Sequence, residues 1–154
     1  MQALLLLGGN IGDVETTMAE AVHMLGVEAG VVRATSRGHW TLPVGFSDER
    51  LFLNKAVLLE TQLEPRALME TCLAIEQRLG RTRIAIERYT ARTIDIDILL
   101  FDDRTMDEPG LQVPHPRMHE RAFALEPAAD VAPLWAHQRT RKTVLAMCDE
   151  VEKK

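Results

Sequence analysis

The segment Arg92-Thr93-Ile94-Asp95-Ile96-Asp97-Ile98-Leu99-Leu100-Phe101 sets a pair of carboxylates into an otherwise apolar run. Side chains alternate along a strand, so Asp95 and Asp97 share one face, about 7 Å apart at Cα, and Ile94, Ile96 and Ile98 take the other. Two like charges beside a hydrophobic sheet raise each other's pKa or destabilise the fold unless a cation neutralises them. Hard oxygen ligands in a short carboxylate pair suit magnesium, which takes one or two carboxylates and leaves its other positions to water and phosphate oxygens. By itself an Asp-x-Asp pair also fits a solvated strand face. The arginines upstream shift the balance. Arg81, Arg83, Arg88 and Arg92 lie in one short stretch of a chain whose net charge is -5, which overall composition does not explain. Guanidinium forks hold phosphate oxygens in a planar, bidentate way that lysine cannot match. Acidic strand plus basic loop reads as a triphosphate and magnesium site.

These residues need elements to hold them. Gln2 to Leu7 is a continuous apolar run, as expected of a central strand buried on both faces, and it ends in Gly8-Gly9-Asn10-Ile11-Gly12-Asp13. That glycine segment lacks the Gly-Lys-Ser/Thr of a P-loop and does not match the dinucleotide fingerprint, so a tight strand-to-helix turn is the better reading. Asp13 can cap a helix carrying Val14, Met18, Ala21, Val22 and Leu25 at helical spacing, with Gly26 closing it. Val31 to Trp40 reads as a less regular strand, Thr41 to Phe46 as a loop, and Leu51 to Thr61 as the next strand, with Phe52 and Asn54 on one face. An aromatic plate beside an amide suits a flat heterocycle, although core packing and a satisfied backbone explain the pair as well. Pro65 opens a second helix with Leu68, Cys72, Ile75 and Leu79 on one stripe and Gly80 at its end. Residues 81–91 form a polar connection of the length that often closes over ligands. After the acidic strand come a turn-rich excursion from Asp102 to Gln112, the segment Val113 to Arg121, and an amphipathic helix from Arg139 to Val151 with Val144, Leu145, Cys148 and Val151 inward. Strand, helix, strand, strand, helix, strand, with extra C-terminal helices appended, is the order of a ferredoxin-like α+β sandwich, an antiparallel sheet with helices on one side.

Composition bounds the alternatives. The chain has 154 residues, 46% hydrophobic and 27% charged, which fits one globular domain spanning residues 1–154. No apolar run is long enough for a membrane span and no signal peptide is evident, so a cytoplasmic location is expected. The acidic balance argues against bulk nucleic-acid binding. Cys72 and Cys148 have no metal or redox spacing and read as buried reduced thiols. His115 and His119 lack the intervening glutamate of a zincin, and prolines flank His115, so phosphate contact or a structural turn is the better reading than zinc. His23, His39 and His137 have no partner pattern and read as surface or core residues.

Taken in order, Gly8 to Asp13, Thr41-Leu42-Pro43-Val44-Gly45, Phe52-Leu53-Asn54, Arg92 to Asp97 and Val113-Pro114-His115-Pro116 resemble the 6-hydroxymethyl-7,8-dihydropterin pyrophosphokinase family of folate biosynthesis. The resemblance covers essentially the whole chain and implies transfer of a pyrophosphoryl group from ATP, the co-substrate, to the hydroxymethyl group of the reduced pterin, releasing AMP. It implies that Asp95 and Asp97 bind two magnesium ions, with Arg81, Arg83 and Arg92 completing the catalytic set. Glu76, Arg88, Ile98, His115 and Arg121 would join those arginines around ATP. Phe52 and Phe123 would sandwich the pterin, with Asn54 at its edge. Thr41, Leu42, Pro43, Val44 and Asp95 would complete that pocket, and Tyr89 would sit on a lid. A monomer is expected, without nucleic-acid or membrane partners. The chain departs from the family pattern at Gly9, Leu73, Tyr89, Gly110 and Pro116, mostly on the nucleotide side, which leaves a non-catalytic pterin- or nucleotide-binding relative as an alternative. A ferredoxin-like interaction module is a third reading.

Overall fold

A computed structural model of the chain describes residues 1–42, 51–81 and 94–152, and of Arg81 the backbone. The strands are β1 (Gln2–Gly9), β2 (Val31–Thr35), β3 (His39–Thr41), β4 (Phe52–Glu60), β5 (Asp95–Phe101), β6 (Met106–Glu108) and β7 (Leu111–Val113). The helices are α1 (Val14–Glu28), α2 (Pro65–Arg81), α3 (Ala122–Val131) and α4 (Val144–Glu152), with a 3₁₀ turn at Met118–Glu120. The main sheet runs β2-β4-β1-β5, all neighbours antiparallel, with β3 continuing the β2 edge beside β4. That order is the ferredoxin-like arrangement. No described helix is long and apolar enough to cross a membrane.

The apolar run at the N-terminus behaves as its composition dictates: β1 lies in the middle of the sheet, and Ala3 to Gly9 are all buried. Leu5 and Leu7 join Leu25, Leu68, Ile75, Ile96 and Ile98 in a core under α1 and α2. Leu4 and Leu6 face a second core with Leu99, Leu100, Leu125, Val144 and Met147 under α3 and α4. Helices therefore cover both faces, not one. The reason lies in β1, whose side chains are apolar on both sides and must be buried on both. A β-bulge puts Leu99 opposite no residue of β1, since Leu5 pairs with Ile98 and Leu4 with Leu100. Phe101 thereby returns to the α1 and α2 core with Ile94, Ile96 and Ile98.

Several boundaries differ from expectation. Gly8 and Gly9 belong to β1, so the turn is confined to the residues before Asp13. Asp13 does cap α1, its carboxylate accepting from Thr16 N at 3.3 Å and Thr16 Oγ1 at 2.8 Å. Gly26 lies inside α1, and the chain turns at Gly30, where a Cβ would collide with the Glu60 carbonyl oxygen. The excursion after β5 contains the β6–β7 hairpin. The last helix begins only at Val144, capped by Thr143 Oγ1 accepting from Ala146 N at 3.1 Å. Met147 is buried there and Leu145 is exposed. Cys72 and Cys148 are buried free thiols.

Candidate functional site

The acidic strand is the free edge of the sheet, so its outward N–H and C=O groups need partners. Glu76 of α2 supplies one, its carboxylate accepting from Ile96 N at 2.7 Å. His115 supplies the other, its backbone N–H donating to the Leu99 carbonyl at 2.9 Å. These bonds fix α2 and the segment after β7 on either side of Asp97. Asp95 and Asp97 share the sheet face turned towards α3 and α4, as the alternation requires, with Asp95 half-buried and Asp97 exposed.

Across the sheet, Gly8 pairs with Asn54 on β4 and with Asp95 on β5. Directly paired residues project to one side, so Asn54, Gly8 and Asp95 make a row about 10 Å wide with no side chain at its centre. The Phe52 ring leans over that gap: a Cβ on Gly8 would stand 2.8 Å from Phe52 Cε1 and 3.5 Å from Asn54 Oδ1. Asn54 is 2% exposed, and its Nδ2 donates to Thr41 Oγ1 at 3.0 Å and to the His39 carbonyl at 3.3 Å. Its donors thus serve β3, and among the described residues no donor reaches Oδ1. His39 is held from the other side by Asp130 of α3, Nε2 to Oδ2 at 2.7 Å. This partnership spans 91 positions and is invisible to local pattern.

A cavity of about 730 Å³ opens at the Asn54 end of this row, lined by Thr41, Leu42, Phe52, Asn54 and Phe123, with Arg117 and Arg121 on its wall. The Arg121 guanidinium carbon sits 5.4 Å from the centre of the Phe123 ring. A second cavity of about 420 Å³ lies beside the edge strand, lined by Glu76, Asp97, Ile98 and His115, with Cys72 and Leu73 of α2 and Gly110 at the hairpin tip. His115 Nδ1 accepts from Arg117 N at 3.2 Å, which leaves Nε2 to carry the ring proton. Burial holds the His115 pKa below that of a free imidazole; Asp97 pulls it up, and Arg121 and Arg117 push it further down. Burial, with the charges of Glu76 and Asp97, pushes the Cys72 thiol up to about 12, so it is an inert wall group.

The predicted residues therefore sort into two neighbouring cavities. Thr41, Leu42, Phe52, Asn54, Arg121 and Phe123 meet at the larger, and Glu76, Asp97, Ile98 and His115 at the smaller. Asp95 stands in the row with Gly8. Pro43, Val44, Arg83, Arg88, Tyr89, Arg92 and the Arg81 side chain lie outside the described residues. Sequence reasoning passed over Gly8 as a turn residue and gave Arg117 no role. A glycine inside a buried strand run signals close approach by another group, and that signal was present at Gly8.

Comparison with known proteins identifies the family and the fold. The family described as 7,8-dihydro-6-hydroxymethylpterin-pyrophosphokinase (HPPK) matches residues 4–133. A 2-amino-4-hydroxy-6-hydroxymethyldihydropteridine pyrophosphokinase of Bacillus subtilis is 46% identical over 130 residues, 84% of this chain and 77% of that protein. One of the same name from Synechocystis is 37% identical over 97% of this chain and 76% of its own length. The Plasmodium falciparum HPPK-DHPS crystal structure superposes with a TM-score of 0.79 at 15% identity, covering 97% of this chain and 44% of that one, a likeness of fold. With a family model that matches residues 4–133, the chain belongs to the 7,8-dihydro-6-hydroxymethylpterin pyrophosphokinase family.

Proposed function

We propose that this chain, as one pyrophosphokinase domain over residues 1–154, transfers the pyrophosphoryl group of ATP to the hydroxymethyl group of 6-hydroxymethyl-7,8-dihydropterin in folate biosynthesis. The observation that carries the reading is the juxtaposition of an aromatic and amide cavity with a second cavity holding the exposed carboxylate of Asp97, within a chain of this family. In the reaction the pterin hydroxyl oxygen forms a bond to the β-phosphorus of ATP. The bond from that phosphorus to the oxygen bridging the α-phosphate breaks, AMP leaves with the bridging oxygen, and the alcohol proton passes to solvent.

Each described residue has a task that its position supports. Phe52 and Phe123 stack the flat ring, and Asn54 Oδ1, which no described donor reaches, accepts from its N–H edge. Glu76 and Ile98 form the nucleotide wall, and the proton on His115 Nε2 serves a phosphate oxygen. Outside the described positions, the family resemblance assigns Arg83, Arg88, Arg92 and the Arg81 side chain, with Arg121, to neutralising the phosphates, and Tyr89, Pro43 and Val44 to the pterin pocket. Asp95 and Asp97 fit magnesium by the chemistry of their donors, two hard carboxylates on one face of a rigid strand. Two magnesium ions held there would neutralise charge on the transferring group. Phosphoryl transfer asks for alignment and charge neutralisation more than covalent catalysis, which suits a site of arginines and carboxylates without an evident general base. We also read the chain as a cytoplasmic monomer.

Incubation with ATP, magnesium and the reduced hydroxymethylpterin should release AMP in step with pterin diphosphate. ADP as the sole nucleotide product rejects the proposal. Calorimetry showing pterin binding without magnesium-dependent ATP binding favours a binding protein instead.

A further inference from the structure

Arg117 stands between the two cavities and, among the described residues, has no carboxylate partner. Its side chain lines the larger cavity, and its backbone N–H donates to His115, which lines the smaller. Its charge also acts on the His115 ring. Arg33, Arg37, Arg66, Arg78 and Arg104 each pair with an acidic side chain, whereas among the described residues none pairs with Arg117. Glu120 and Glu126 line the same cavity and still form no ion pair with it. A guanidinium kept free at the wall of a cavity is available to an anionic ligand.

The reaction changes the charge of what this cavity holds. The hydroxymethylpterin enters uncharged, and the same molecule leaves bearing a diphosphate. We propose that Arg117 binds the diphosphate as it joins the pterin, and so recognises the group in transfer and the charged product while ignoring the uncharged substrate. The inference rests on the reading of the larger cavity as the pterin site. It assigns Arg117 a binding role beside Arg121 in the cavity that Phe52 and Asn54 also line, in the segment between β7 and α3.

The test is calorimetry on the full chain with magnesium, titrating the pterin alcohol and the pterin diphosphate separately into the unsubstituted protein, Arg117→Ala and Arg117→Lys. Arg117→Ala should bind the alcohol within about twofold of the unsubstituted protein and the diphosphate about ten- to a hundredfold more weakly, with Arg117→Lys recovering part of the loss. Because Arg117 is exposed, melting should shift little in either variant. Equal loss of both ligands, or loss of neither, overturns the role of Arg117. If the unsubstituted protein binds neither pterin, the pterin reading itself falls, and this inference with it.

Discussion

At the scale of single residues, the proposed function gives Gly8 a part in binding and Asp97 a part in chemistry, and the two can be tested separately. Replacing Gly8 by alanine brings a Cβ to within 2.8 Å of Phe52 Cε1, the far end of a side chain that can swing away. Little stability should be lost, because the ring yields and the backbone does not have to. The displaced ring stacks less well, so the KM for the pterin should rise about three- to tenfold with a smaller change in kcat, as steady-state kinetics would register. Asp97→Asn is nearly isosteric and sits on an exposed side chain, so the melting temperature should move by less than about 3 °C. Turnover, followed as AMP release, should fall at least about a hundredfold, since the substitution removes a charge where phosphate charge must be balanced. Retained turnover would remove the metal argument. The pairing of Asp95 with Asp97 was legible because covalent alternation alone puts them on one face. The importance of Gly8 was hidden, because it depends on which residues of β4 and β5 come to lie beside it.

At the scale of elements, β5 works because two separate segments close its edge. Glu76→Ala takes away the acceptor of the buried Ile96 N–H and should cost about 1–3 kcal/mol in urea unfolding, with activity falling further as Asp97 and α2 lose their common anchor. Glu76→Gln keeps an acceptor oxygen and should recover most of the stability. An alanine variant as stable as the unsubstituted protein would show that the bond does not hold the edge. Local signals placed the elements well where they were chemical: Asp13 caps α1, and Pro65 opens α2. They failed where long-range contacts decide. The spacing ends the helix at Gly26, yet α1 runs on to Glu28 and the chain turns where Gly30 passes against the Glu60 carbonyl, a constraint from a strand thirty positions away. Likewise the helical spacing from Arg139 did not reveal that Arg139 and Thr140 donate their N–H groups to His137 Nδ1 at 3.1 Å, which holds this stretch as a loop until Val144.

At the scale of the molecule, the second helical layer carries a pH dependence. His137 is 2% exposed, and its ring lies 5.9 Å from that of His119. Burial chiefly, then His119 and Arg139, lower its pKa from 6.5 to about 4. The fold thus favours the neutral ring. Its contribution is intact above about pH 6.5 and is lost as pH falls through that value towards 4, where the ring must charge inside the core. Proton NMR should find the His137 ring neutral at pH 5, and His137→Gln should flatten the decline of unfolding free energy between pH 6.5 and 4. A His137 midpoint near 6.5 would contradict this. That layer also lines the larger cavity, since Phe123 and Arg121 belong to α3 or its entry, and Asp130 of α3 holds His39 of β3.

Local covalent geometry and side-chain chemistry suffice for the alternating face of Asp95 and Asp97, the doubly apolar centre strand, the starts of α1 and α2 and the ordered segments that mark the family. Only the tertiary structure decided that helices cover both faces, that Gly8 leaves a gap under Phe52, that His39 meets Asp130, and that Glu76 and His115 close the edge of β5. Each of those joins groups far apart in the chain, and which distant groups meet is settled by the burial that the whole fold achieves at once, not by the spacing of neighbours.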